Sequence, residues 1–248
     1  MNIDWRMIAR PQISNLLYRL GNKTDKDSII IFPHVPKTGG SSIRHALLKS
    51  YGYSLNLDYE NPPVYGNEER QARELILQDK ISKKRDKYLI KYNIIYGHFP
   101  ANRYDSLGTT VKKAIFFRDP VNRTCSHYFY GLNNASLAND SSTKQTITEY
   151  SKRPFIRHFY ENYLAGVEIN QFDFVGITEY FDESIELFNK IFGVEIEHYK
   201  KRVGKNNNYI DYLNEENALS SLVDSQKLNQ SIYDKARKRF DDLWNEYN

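Results

Sequence analysis

The chain has 248 residues, 40% of them apolar, and a mean hydropathy of −0.69, which fits a soluble, polar-surfaced protein with one large α/β domain. Its 35 basic and 31 acidic residues leave a formal charge of +4, too mild to indicate a nucleic-acid binder but suited to an anionic ligand. A single cysteine excludes an intrachain disulfide framework and gives no sign of an oxidising compartment.

In chain order, residues 1–27 read as an N-terminal extension with no apolar run long enough for a signal peptide or a membrane span. The amphipathic segment from Met1 to Leu20, with Trp5, Ile8, Leu16 and Leu17, is expected to dock on the domain, and a cytoplasmic protein is expected. The β-branched run Ile29-Ile30-Ile31-Phe32 predicts a buried strand. A polar turn follows, Pro36-Lys37-Thr38-Gly39-Gly40-Ser41-Ser42, and the spacing of Ile43, Ala46 and Leu47 predicts a helix starting near Gly40. Tyr51 to Asn67, with Asn61-Pro62-Pro63 and Gly66, reads as a loop. Glu68 to Lys91 reads as one or two solvated helices.

Asn93 to Tyr96 is a second short strand, followed by Gly97-His98-Phe99-Pro100. Lys112 to Phe117 is a third, ending in Arg118-Asp119-Pro120, with Asp119 suited to cap a helix that begins at Pro120 and runs to about Leu132. Asn133 to Thr146 is poor in bulky apolar residues and reads as a loop. Pro154 to Gly166 predicts one helix, with Phe155, Phe159, Tyr163 and Leu164 on one stripe. Gln171 to Ile177 predicts a fourth strand, and Phe181 to Phe192 a strongly amphipathic helix stopped by Gly193. Lys200 to Tyr209 is a basic loop. Glu215 to Leu222 and Ser225 to Tyr247 supply the C-terminal helices within 210–248. Strands alternating with helices predict a single domain over 1–248, an α/β fold with a central parallel sheet flanked by helices. Ligands of such sheets bind beyond the strand carboxyl ends, where Lys37, His98 and Arg118 all fall.

The first turn has the makings of an anion cradle. Two glycines let the backbone approach an anion, the helix N-terminus adds unpaired N–H groups and positive potential, Thr38, Ser41 and Ser42 carry hydroxyls, and Lys37 is a mobile charge. It departs from the common nucleotide loop, in which lysine follows the second glycine; here Lys37 precedes both. Arg118 at a strand end could grip an anion bidentately, and Ser126, about two helical turns on, could add a hydroxyl. Against this, Arg118 could pair with a nearby carboxylate and Ser126 could merely line a helix.

Together these stretches resemble the sulfotransferases that use 3′-phosphoadenosine-5′-phosphosulfate (PAPS), with most likeness to the carbohydrate group that includes heparan sulfate 2-O-sulfotransferase. Pro36 to Ser42 is similar to that family's P-K-T-x-x-[ST]-S turn, and Phe117-Arg118-Asp119-Pro120-Val121-Asn122-Arg123-Thr124-Cys125-Ser126 to its [FL]-R-[DH]-P-x-x-R-x-x-S stretch. Phe174 to Phe181 and the loop around Lys205-Asn206-Asn207-Asn208 resemble later family segments more weakly. The resemblance implies a P-loop-like sulfotransferase fold and sulfuryl transfer from PAPS to a hydroxyl of a sugar, glycoconjugate or small molecule, leaving adenosine 3′,5′-bisphosphate. It implies that Lys37, Thr38, Gly39, Gly40, Ser41 and Ser42 hold the 5′ end, that Arg118, Ser126 and Lys205 hold the nucleotide's 3′ side, and that His98 is the general base. No metal is expected. His34 is the reserve base, and Arg157, Tyr160 and Asn162 lie where acceptor contacts could come. The competing readings are a P-loop kinase or nucleotidase acting on ATP or adenylyl sulfate, and a non-catalytic module binding an anionic polymer through Lys83-Lys84-Arg85 and Lys200-Lys201-Arg202.

Overall fold

The computed structural model describes residues 28–133, 145–197 and 218–248. The N-terminal extension, most of the loop after Asn133 and the basic loop with Lys205 lie outside the described residues. Five strands form one sheet: β1 (Ile29–Pro33), β2 (Leu55–Asp58), β3 (Ile94–Gly97), β4 (Val111–Phe117) and β5 (Phe174–Ile177), in the order β2-β3-β1-β4-β5. All four pairings are parallel, as the alternation of strands and helices predicts.

β1 sits at the centre and shows why the sheet is covered on both faces. Its alternate side chains Ile30 and Phe32 join the larger core, while Ile29 and Ile31 join a second cluster with Ile95, Phe99 and Leu107. The larger core takes in the apolar stripe of α1 (Gly40–Tyr51) through Ile43, Ala46 and Leu47. The second cluster is closed by Ile81 of α2 (Glu68–Lys83), with Tyr88 and Leu89 of α3 (Arg85–Lys91) packed against it. After β4 comes α4 (Pro120–Asn133), whose start is capped as expected: Asp119 Oδ1 accepts the Asn122 N–H at 2.8 Å.

Four elements differ from the sequence expectation. The stretch from Tyr51 to Asn67, read as a loop, contains the edge strand β2. Only four residues long and carrying Asn56 and Asp58, it has little strand propensity of its own and is held by pairing with β3. A short helix, α5 (Ile147–Ser151), opens on a capping box between Thr146 and Glu149. The helix expected from Pro154 to Gly166 is broken at His158 into α6 (Pro154–Arg157) and α7 (Phe159–Leu164). The buried Asn229 side chain satisfies both broken ends, donating to the Ile156 carbonyl at 2.9 Å and accepting the Tyr160 N–H at 3.1 Å. β5 begins at Phe174 rather than Gln171, which belongs to a 3₁₀ turn. The amphipathic helix α8 (Phe181–Phe192) ends at Gly193 as read. α9 (Ala218–Ser225) and α10 (Lys227–Tyr247) follow, α10 packing with α8 against β5.

Candidate active site at the carboxyl edge of the sheet

The turn between β1 and α1 leaves the strand and doubles back through two left-handed residues, Lys37 (φ 75°) and Gly39 (φ 84°). Such an arrangement gathers backbone N–H groups around a concavity that suits an anion. The left-handed backbone at Lys37, which is not a glycine, is a conformation that folds tolerate mainly at functional sites. Gly39 occupies the N-cap of α1 with no side chain bonding to the helix, and the amides of Gly39, Gly40 and Ser41 donate to nothing among the described residues. Those N–H groups and the helix dipole are therefore open to a ligand.

The hydroxyls of the turn divide. Ser41 is exposed and Ser42 half-buried. Thr38 is fully buried and donates to the Val35 carbonyl at 2.8 Å, so its hydroxyl braces the turn and only its backbone faces a ligand. The two glycines are also required by packing. A Cβ on Gly39 would lie 2.8 Å from the Phe181 ring, and one on Gly40 would lie 1.7 Å from His34 Nε2.

Arg118, at the end of the neighbouring strand β4, donates to the Lys37 carbonyl at 3.3 Å. The two cations read separately from the sequence thus belong to one place. The Lys37 ammonium lies 4.1 Å from the Tyr130 ring centroid on α4. Burial and the nearby Arg118 both push its pKa below the ordinary lysine value. Ser126 is buried on α4. Arg123, one turn before it, is also fully buried. Its guanidinium lies 3.7 Å from the Phe159 ring centroid and donates to Thr124 Oγ1 at 2.8 Å, while Nε and Nη1 have no partner. Among the described residues no carboxylate forms an ion pair with Lys37, Arg118 or Arg123.

On the other side of β1, His34 and His98 follow Pro33 and Gly97, which face each other in register. His98 Nε2 and His34 Nδ1 are 3.0 Å apart. The Tyr96 ring stacks on His34 at 5.2 Å, and its hydroxyl donates to the Gly40 carbonyl at 3.1 Å. Burial, with the fields of His98, Arg44 and Lys37, holds the His34 pKa well below the usual histidine range, and burial lowers that of His98 to about 4. Both rings are neutral at neutral pH. Tyr59, 40% exposed, stands edge-on to His98 with ring centroids 4.9 Å apart.

Sequence reasoning passed over His127. Its Nδ1 meets the Tyr150 hydroxyl, and burial followed by the Arg123, Lys37, Arg153 and His98 fields lowers its pKa to about 3. The available signal was its position four residues after Arg123, on the same face of α4. Of the acceptor candidates, Arg157 is exposed and Asn162 half-buried. Tyr160 is excluded as an acceptor contact: it is fully buried, and its hydroxyl donates to the Arg118 carbonyl. Its position instead fixes the strand end that carries Arg118.

No family model matches the sequence, and no curated protein matches it. Among solved structures, the chain is similar to mouse sulfotransferase SULT7A1 complexed with PAP, at 12% identity over 86% of this chain and 89% of that one, with a TM-score of 0.47. A likeness this distant carries no part of the functional argument, which rests on the geometry above. No helix among the described residues is long and apolar enough to cross a membrane.

Proposed function

We infer that the protein transfers a sulfuryl group from PAPS to a hydroxyl of a carbohydrate or small-molecule acceptor. The observation that carries this reading is the convergence of Lys37, Arg118 and the open amides of Gly39, Gly40 and Ser41, with no compensating carboxylate among the described residues. Both cations are half-buried, and part of the cost of taking them out of water is offset when an anion completes them. A donor with phosphates at two positions gives the turn and Arg118 an anion each.

In this reading the turn amides, Ser41 and Ser42 hold the 5′-phosphosulfate, Thr38 contributes its backbone, and Lys37 neutralises the charge that grows on the departing phosphate oxygen. Arg118 and Ser126 hold the 3′-phosphate and so distinguish PAPS from adenylyl sulfate or ATP; Lys205 belongs to the same proposed nucleotide side. His98, one strand away and half-buried, meets the reacting groups from the acceptor side. Positioning and charge stabilisation supply the catalysis, as in phosphoryl transfer through a loose transition state. Tyr59 beside His98 offers a ring face of the kind that stacks on sugars.

The test is an incubation with sulfur-labelled PAPS and a panel of hydroxylated saccharides and small metabolites, run beside ATP with magnesium. Label reaching an acceptor, with adenosine 3′,5′-bisphosphate formed in equal amount, is expected. Magnesium-dependent ATP turnover with PAPS left intact would replace this reading with the kinase one.

A further inference from the structure

The way His98 can work depends on which of its ring nitrogens carries the proton, and His34 decides that. In a neutral pair one ring donates and the other accepts across the 3.0 Å contact between His34 Nδ1 and His98 Nε2. If His34 accepts, its own proton sits on Nε2. That nitrogen is buried and has no partner. Its surroundings are the first turn of α1, with Gly40 packed against it, and the fields of Arg44 and Lys37. An N–H there would be an orphaned donor pointed into positive potential, whereas a bare lone pair is stabilised by that potential. His34 is therefore the donor, from Nδ1, and Nε2 is bare. His98 Nε2 accepts, which places the His98 proton on Nδ1. That nitrogen makes no hydrogen bond among the described residues and is not among the buried ones, so solvent reaches it.

We propose that His34 is a positioning residue that fixes His98 as a hydrogen-bond donor toward the reacting group, in place of the general base that the family resemblance implies. The proposal builds on the sulfuryl-transfer reading and assigns the step its protons. As the acceptor oxygen forms its bond to sulfur, the bond from sulfur to the 5′-phosphate oxygen breaks. The N–H at His98 Nδ1 donates to an oxygen of the sulfuryl group in flight. The acceptor hydroxyl becomes acidic as it bonds to sulfur, and its proton passes to water. Gly40 also acquires a second role: without a side chain it admits the His34 ring, so the anion turn and the His98 tautomer are built by the same residue. Tyr96, stacked on His34 and bonded to the Gly40 carbonyl, completes the clamp.

Two measurements test this. The first is the ring ¹⁵N spectrum of the full chain labelled at histidine, near pH 7.5, with His98 assigned by its loss in His98→Asn. A protonated Nδ1 and a bare Nε2 at His98 are expected, and His34→Phe should abolish that fixed preference. The reverse tautomer in the parent protein overturns the proposal. The second compares His98→Asn with His98→Ala. The asparagine amide can donate from near the Nδ1 position but cannot take up a proton. Turnover within about tenfold of the parent is expected for His98→Asn, against a loss of about 10²–10³-fold for His98→Ala; equal losses overturn the donor role. The spectrum needs no nucleotide. A chain that shows the expected tautomer but transfers no sulfuryl group therefore contradicts the function alone, and one that transfers it with the reverse tautomer contradicts only the role given to His98.

Discussion

Two arginines buried in the same chain are treated in opposite ways. Arg103, 1% exposed beneath the end of β2, is paired to both Asp58 and Glu74 and also donates to the carbonyls of Glu60 and Asn61. Tyr104 adds its hydroxyl to Asp58 at 2.7 Å. These carboxylate partners outweigh the cost of burial and raise the Arg103 pKa. Arg123, equally buried, has an aromatic face and a threonine hydroxyl but no carboxylate among the described residues, and burial lowers its pKa. Lys37, half-buried, also has no carboxylate partner among the described residues, and burial lowers its pKa too. A cation that serves the fold brings its anion with it within the chain; in the proposed sulfuryl-transfer reading, Lys37 and Arg118 at the carboxyl edge of the sheet take theirs from the donor.

The sharpest way to break this contrast is to remove Arg103. Arg103→Met leaves Asp58 and Glu74 charged and largely buried without their cation, and should cost about 3–5 kcal/mol of unfolding free energy in urea titration. Bisphosphate binding by the folded fraction should be unchanged. Lys37→Ala should do the reverse, lowering turnover about 10²–10³-fold while losing no more than about 1 kcal/mol of unfolding free energy, because only the Tyr130 ring contact and no native ion pair is broken. A Lys37→Ala protein that unfolds more easily but turns over normally would place Lys37 with Arg103. Arg118→Ala should weaken binding of adenosine 3′,5′-bisphosphate by about 1.5–3 kcal/mol, read by calorimetry, while leaving the fold intact.

The smallest effect is graded with pH. Folding holds His34, His98 and His127 below the ordinary histidine pKa of 6.5, at about 4 for His98 and about 3 for His127. The unfolded chain then takes up protons below pH 6.5 that the folded chain refuses, so stability should fall as pH drops from 6.5 toward 4. Melting temperature followed across that interval should decline less steeply in His127→Phe. A flat profile in the parent would mean that these rings are not held neutral by burial.

Much of this was legible in the sequence where one segment determines its own structure. The β-branched run of β1, the glycine turn and the Gly193 stop of α8 each carry their own physical signal. β2 was not legible, because Leu55-Asn56-Leu57-Asp58 becomes a strand only through β3. Nor was the break at His158, since the side chain that satisfies it, Asn229, lies some 70 residues further on. At the site, Lys37, His98 and Arg118 were readable as residues that follow strands. What those residues face was not. The Thr38 hydroxyl turned to Val35 is a local choice the motif leaves open, whereas the Tyr160 hydroxyl turned to Arg118, His34 paired with His98, and His127 buried against Tyr150 are contacts between segments that only the tertiary fold brings together.

The central claim is that the turn after β1 and Arg118 form two halves of one site for a doubly phosphorylated donor. Calorimetric titration of the parent protein with adenosine 3′,5′-bisphosphate, beside 5′-AMP, tests it most directly. The account predicts a clear preference for the bisphosphate that collapses in Arg118→Ala. Equal affinity for the two nucleotides, or no binding of either, would contradict it.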